Sequence, residues 1–125
     1  MKATLLALVV PLPLLLFGPQ EPAAPPPPPE KLFAVLFRTG PAWDKAKTPN
    51  EQAFFKEHSA NLAELRKAGR IVTGGRYADV GLVVVKAASL EAAKALLAGD
   101  PTIGAGVFEA QVHPWATLFE GCVSR

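Results

Sequence analysis

One cysteine, Cys122, is all the 125-residue chain carries, so no disulfide can form within it. A lone cysteine near the end of the chain reads as a free, non-catalytic thiol. His58 and His113 are the only histidines, and with no Cys or His partner at zinc spacing they form no metal motif. No run of ~20 uninterrupted apolar residues spans a bilayer's worth of helix. Charge of one sign is also scarce. There are thirteen basic and eleven acidic residues, and setting aside Lys2, Glu21 and Glu30 leaves an excess of three positive charges. No basic patch interleaved with aromatics stands out, so nucleic acid is not an expected partner.

Proline is abundant but local. Lys2 is followed by Ala3 to Phe17, apolar apart from Thr4, Pro11 and Pro13. A single positive charge before a short apolar stretch is the pattern of a secretory signal. Residues 1–24 are therefore read as a leader to a secreted or periplasmic protein. The alternative is a membrane anchor made by an uncleaved leader. Pro25 to Pro29 is an unbroken run of prolines, which favours an extended polyproline spacer over any packed structure. Residues 25–30 are read as a linker, 31–116 as one domain and 117–125 as a tail.

The domain is organised around Thr48 to Gly69. Thr48, Pro49 and Glu51 have the spacing of a capping box with proline at the first helical position. Gly69 stands where a helix ends in a left-handed residue. Between them Phe54, His58, Leu62 and Leu65 recur every three or four positions, predicting one buried stripe. The stripe contains a histidine, the side chain whose charge changes nearest to neutral pH.

The remaining elements follow from pattern. Leu32–Phe37 is a near-continuous apolar run, predicting a central strand. Arg70–Thr73, ending in Gly74-Gly75, and Leu82–Lys86 predict a hairpin connected through Tyr77 to Gly81. Ser89 caps a second helix with Leu90, Ala93 and Leu97 on its apolar stripe. Asp100-Pro101 opens a tight turn or one helical turn. Val107–His113 alternates apolar and polar residues, predicting a half-exposed fourth strand ended by Pro114.

The order βαββαβ predicts an α+β ferredoxin-like sandwich, a four-stranded antiparallel sheet with two helices on one face. The other face is left open, and a small domain does not leave a broad apolar sheet in water. A homodimer packed through that face is the expected partner arrangement.

Gly40–Asp44 (GPAWD), Glu57–Gly75, Gly81–Pro101 and Val112–Trp115 (VHPW) together resemble the YCII-related domain family. The resemblance covers Phe33 to Trp115 and implies a dimeric α+β barrel. It also implies a site with a histidine on the first helix and an aspartate in the Asp-Pro turn, which here match His58 and Asp100. Some relatives act on chlorinated hydroxyquinones, and the wider superfamily includes lactone isomerases and cofactor-free oxygenases. The chain departs from the family pattern in its leader and in Gly74-Gly75, where Gly-Pro is frequent.

The functional expectation is a cofactor-free lyase, isomerase or hydrolase in which His58 and Asp100 move a proton on a small organic molecule. Arg38, Trp43 and Tyr77 are candidates for binding that molecule. Each residue also has a plainer reading. His58 could be a packed core residue, Asp100 a helix cap, Arg38 a surface charge and Trp43 a loop anchor. The alternative function is a non-catalytic binding or structural dimer module.

Overall fold

A computed structural model describes residues 18–19 and 21–121. The apolar leader segment before Gly18, and Cys122, lie outside the described residues. The elements are β1 (Lys31–Thr39), a 3-10 turn (Pro49–Glu51), α1 (Phe55–Lys67), β2 (Ile71–Tyr77), β3 (Val80–Ala87), α2 (Leu90–Ala95), α3 (Pro101–Gly104) and β4 (Phe108–Pro114). The strands form one antiparallel sheet in the order β2-β3-β1-β4. This is the α+β ferredoxin-like arrangement that the pattern predicts. Among the described residues no helix is long and apolar enough to cross a membrane.

Strand parity sorts the side chains. Phe33, Val35 and Phe37 lie opposite Val85, Val83 and Gly81 of β3, and the same three pair with Pro114, Val112 and Ala110 of β4. This face carries the core, joined by Ala93 and Leu97 from the α2 segment and flanked by Leu62 of α1. Val35, Val85 and Ala93 have no measurable exposure. The other face presents Leu32, Ala34, Leu36 and Val84 along its centre, with Arg38, Glu109, Gln111 and His113 beside them.

Two sequence expectations are corrected. The capping box does not start the long helix. Glu51 Oε2 accepts from the Thr48 amide at 2.9 Å and the Thr48 hydroxyl at 2.7 Å, but the turn it closes ends at Gln52, whose backbone is extended. Phe54 is left-handed, with φ of 61°, and α1 begins after it. Phe54 is thereby turned out of phase and half-exposed, and Phe55 replaces it on the stripe above His58. The cause is Gln52, a buried side chain bonded to backbone rather than available to a helix face. It accepts from Asp44 N at 2.9 Å and donates to Asp44 O at 2.7 Å and Lys47 O at 3.2 Å.

The second correction concerns Gly74-Gly75. They are not the loose end of β2 but lie within it, opposite Val83 and Leu82, and only Ala78 and Asp79 connect the two strands. The helix ends fit expectation. Gly69 has φ of 72°, and Arg70 N donates to Leu65 O at 2.9 Å, closing α1. Ser89 Oγ accepts from Ala92 N at 3.1 Å and starts α2.

Candidate active site

The site is built from the Asp100-Pro101-Thr102 turn upward. A residue before proline is driven into extended backbone, and that is also the conformation of a helix N-cap. Asp100 has φ of −79° and ψ of 110°. Its Oδ1 accepts from Thr102 N at 3.0 Å and from the Thr102 hydroxyl at 2.6 Å. Oδ2 is left free and turns toward α1.

His58 meets it there. Its Nδ1 lies 2.5 Å from Asp100 Oδ2, with the Thr102 hydroxyl 3.5 Å away. Both partners are buried, His58 at 6% exposure and Asp100 at 3%. Toward a carboxylate the ring donates from Nδ1–H, and the tautomer that does so in the neutral ring carries its lone pair on Nε2. Asp100 is thus a helix cap through one oxygen and a histidine partner through the other.

The imidazole sits in an aromatic surround. Phe37 meets it edge-on at 4.9 Å between centroids, Phe108 lies at 5.0 Å and Phe55 at 6.0 Å. Among the described residues Nε2 has no hydrogen-bond partner, and the only fully buried side-chain nitrogen or oxygen without one is Asn61 Nδ2. Nε2 therefore keeps contact with solvent, and His58 lines a hollow of about 560 Å³. That volume suits a small organic molecule.

The walls come from separate parts of the chain. Phe37, Phe55, Phe108 and Trp43 form an aromatic side, while the β2–β3 side combines Gly74, Gly75 and Gly81 with Leu82, Val83 and Arg76. Trp43 lies 5.4 Å from Phe108 between ring centroids. Its loop is fixed against the start of β4, where Gly40 N donates to Val107 O at 2.8 Å and Ala42 N to Gly106 O at 2.9 Å. A Cβ at Gly40 would stand 2.2 Å from Gly106 O, so only glycine allows this approach.

Of the five residues singled out in the sequence, the fold brings His58 and Asp100 together and places Trp43 on the wall of the hollow. Arg38 and Tyr77 are not among the lining residues. Arg38 pairs across from Glu109 on the open sheet face, opposite to its neighbour Phe37. Tyr77 is 54% exposed, and it is the adjacent Arg76 that lines the hollow. Sequence reasoning missed Arg76, Lys45, Asp79 and the buried Thr102. The Asp-Pro-Thr triplet carried a signal for Thr102, since a residue two past an N-cap offers its amide to the cap. Nothing in the sequence distinguished Arg76 from other surface arginines.

Among the described residues no three His, Cys, Asp or Glu side chains converge as a metal site would need. Compared with known proteins, residues 32–116 match the sequence model of the YCII-related domain. A search of curated proteins finds no match.

Proposed function

The chain belongs to the YCII-related domain family, and from that premise we propose that it is a cofactor-free enzyme moving a proton on a small unsaturated molecule. The observation that carries this reading is the His58 ring, bonded through Nδ1 to a buried carboxylate while Nε2 remains unpartnered at a hollow. Nε2 takes a proton from an acidic C–H or O–H of the substrate. The Asp100 carboxylate holds the ring in the required tautomer and faces the imidazolium that forms. The electron pair left on the substrate shifts through its conjugated system. Return of the proton at another carbon gives an isomerase, and departure of an anionic leaving group from the adjacent carbon gives a lyase. Proton abstraction from water attacking a lactone would give a hydrolase.

A second reading is favoured by one observation. The same bond ties α1 to α3, so the pair could hold the fold of a binding or structural module without chemistry. A panel of enols, quinols and lactones separates the two. Turnover that disappears in His58→Gln, with the melting temperature retained, supports the enzyme. Turnover that survives His58→Gln sinks the proton-transfer reading.

Two further parts of the proposal concern the whole molecule. The half-buried Leu32 and Leu36 on the open sheet face pack against a second copy. Sedimentation of wild type as a dimer and of Leu36→Glu as a monomer supports this, and a monomeric wild type removes it. The leader directs export, and the N-terminal sequence of protein recovered outside the cytoplasm tests that.

A further inference from the structure

The mouth of the hollow has a charge arrangement that the proton-transfer chemistry does not use. Lys45 and Arg76 both line it, with Asp79 the one acidic residue on its wall. Neither cation has an ion-pair partner among the described residues. Asp44, next to Lys45, is bridged instead to Lys47 at 3.5 Å. Arg76 donates Nε to Ala78 O at 3.1 Å, which leaves its terminal guanidinium nitrogens free. Opposite Arg76 in the sheet is Gly81, which offers no side chain to engage it. The mouth thus carries one net positive charge.

Both cations are held in place by the backbone around them. Lys45 lies inside the segment that Gln52 clamps through Asp44 and Lys47. Arg76 is the penultimate residue of β2, paired with Gly81 in a hairpin with only two connecting residues. Their supports are therefore ordered before any ligand arrives, which limits the entropy lost on binding.

The shape of the hollow adds a second constraint. On one side are aromatic rings, and on the other the sheet wall, where Gly74 and Gly81 flank the low apolar side chain of Val83. Aromatic rings facing a low apolar sheet wall accept a flat ring better than a branched chain.

We infer that the hollow binds a planar, unsaturated ring bearing a carboxylate, with the carboxylate between Lys45 and Arg76 and the ring against Phe37, Phe55 and Phe108. This inference rests on the reading of the hollow as the substrate site, and it names the substrate class. A charge-assisted, forked contact from Arg76 fixes the acid group. The ring is then presented to His58 Nε2, and Asp79 is placed to accept a hydroxyl proton at the mouth.

Isothermal titration of the full chain with benzoate, and with neutral benzamide as its near-isostere, tests it. Benzoate is expected to bind about tenfold more tightly than benzamide at low salt, and the preference is expected to shrink as salt rises. Lys45→Gln and Arg76→Gln should each lower benzoate affinity about three- to tenfold and leave benzamide affinity unchanged. Equal binding of the two probes, no saturable binding of benzoate, or a benzoate preference unaffected by both substitutions overturns the inference. Loss of the benzoate preference in Lys45→Gln and Arg76→Gln reports on the anion site, while turnover of the substrate panel reports separately on the proton transfer.

Discussion

The two sides of the hollow are built on opposite principles. On the α3 side every polar atom of Asp100 is engaged, its partners are buried, and the imidazole is packed among three phenylalanines. On the β2–β3 side glycines, the unpaired Arg76 and an exposed turn meet solvent, and Lys45 approaches from the Trp43 loop. The hairpin also stores strain, because Ala78 has φ of 46° without being glycine. Chemistry that depends on a lone pair aimed at one atom needs the first kind of surround. Recognition of a charged group at a mouth tolerates the second, since long cationic side chains reach across the gap. In the proposed function, the difference puts the reactive atom on the rigid side and specificity on the open one.

The sharpest way to break this contrast is to unmake the rigid side. His58→Gln and Asp100→Asn are expected to lower kcat by about 10²–10⁴-fold, measured on whichever substrate from the panel turns over. Asp100→Asn leaves a side chain of the same shape but offers an amide where the ring needs an acceptor. If the two sides are as different as described, neither change moves benzoate affinity by more than about twofold.

Stability gives the next largest effect. Asp100→Ala orphans Nδ1 of His58 and the Thr102 hydroxyl and removes the α3 cap, and is expected to cost about 3 kcal/mol in chemical denaturation. Thr102→Val removes one bond to Oδ1 and should cost about 1 kcal/mol. A loss in Asp100→Ala no greater than in Thr102→Val would show that the pair contributes nothing to holding α1 on α3.

The open side responds in the other direction. Ala78→Gly relieves the left-handed residue and should stabilise by about 1 kcal/mol. Gly75→Ala meets open space and is expected to change stability by less than about 0.5 kcal/mol, and its methyl group, on the sheet face away from Phe37, should leave benzoate binding unchanged. A strongly destabilised Gly75→Ala would show that this edge of β2 does not stand in open space.

The smallest expected effect lies away from both sides. The bonds from Thr48 hold the Glu51 carboxyl below its ordinary value of 4.5. A carboxyl whose folded value is depressed contributes stability that is complete above the ordinary value and is lost as pH falls through the lower one. Glu51→Gln should therefore melt slightly below wild type at neutral pH, and the two should converge in acid. Glu51 is exposed, so solvent screening keeps the difference small.

How much of this was legible beforehand varied by element. The apolar run at Leu32–Phe37, the alternation in β4 and the Ser89 cap announce themselves because each is a local pattern with a local cause. The start of α1 did not, although its capping box was read correctly as a box. Gln52 has backbone partners eight residues back at Asp44, and no local pattern reveals such a clamp. Asp100 entered as a site residue through family resemblance, and its local chemistry pointed equally well to a cap. Both roles are present because a carboxylate has two oxygens. Tyr77 was expected in the hairpin connection, but β2 extends to Tyr77 and only Ala78 and Asp79 connect the strands. Inside a strand neighbours face opposite ways, so Arg76 shares the face of Gly81 and Phe37 and Tyr77 turns away.

The sequence by itself determined the succession of elements, the ends of most of them and the extended backbone at Asp100, because these depend on neighbours a few residues apart. Only the tertiary structure decided that Asp100 Oδ2 would find His58 forty-two residues earlier, that Phe108 would close the ring's surround, and that Arg76 and Lys45 would share one opening. These juxtapositions arise from packing two helices on one face of a twisted sheet. Contact distance there is set by crossover and register, which no window of sequence contains.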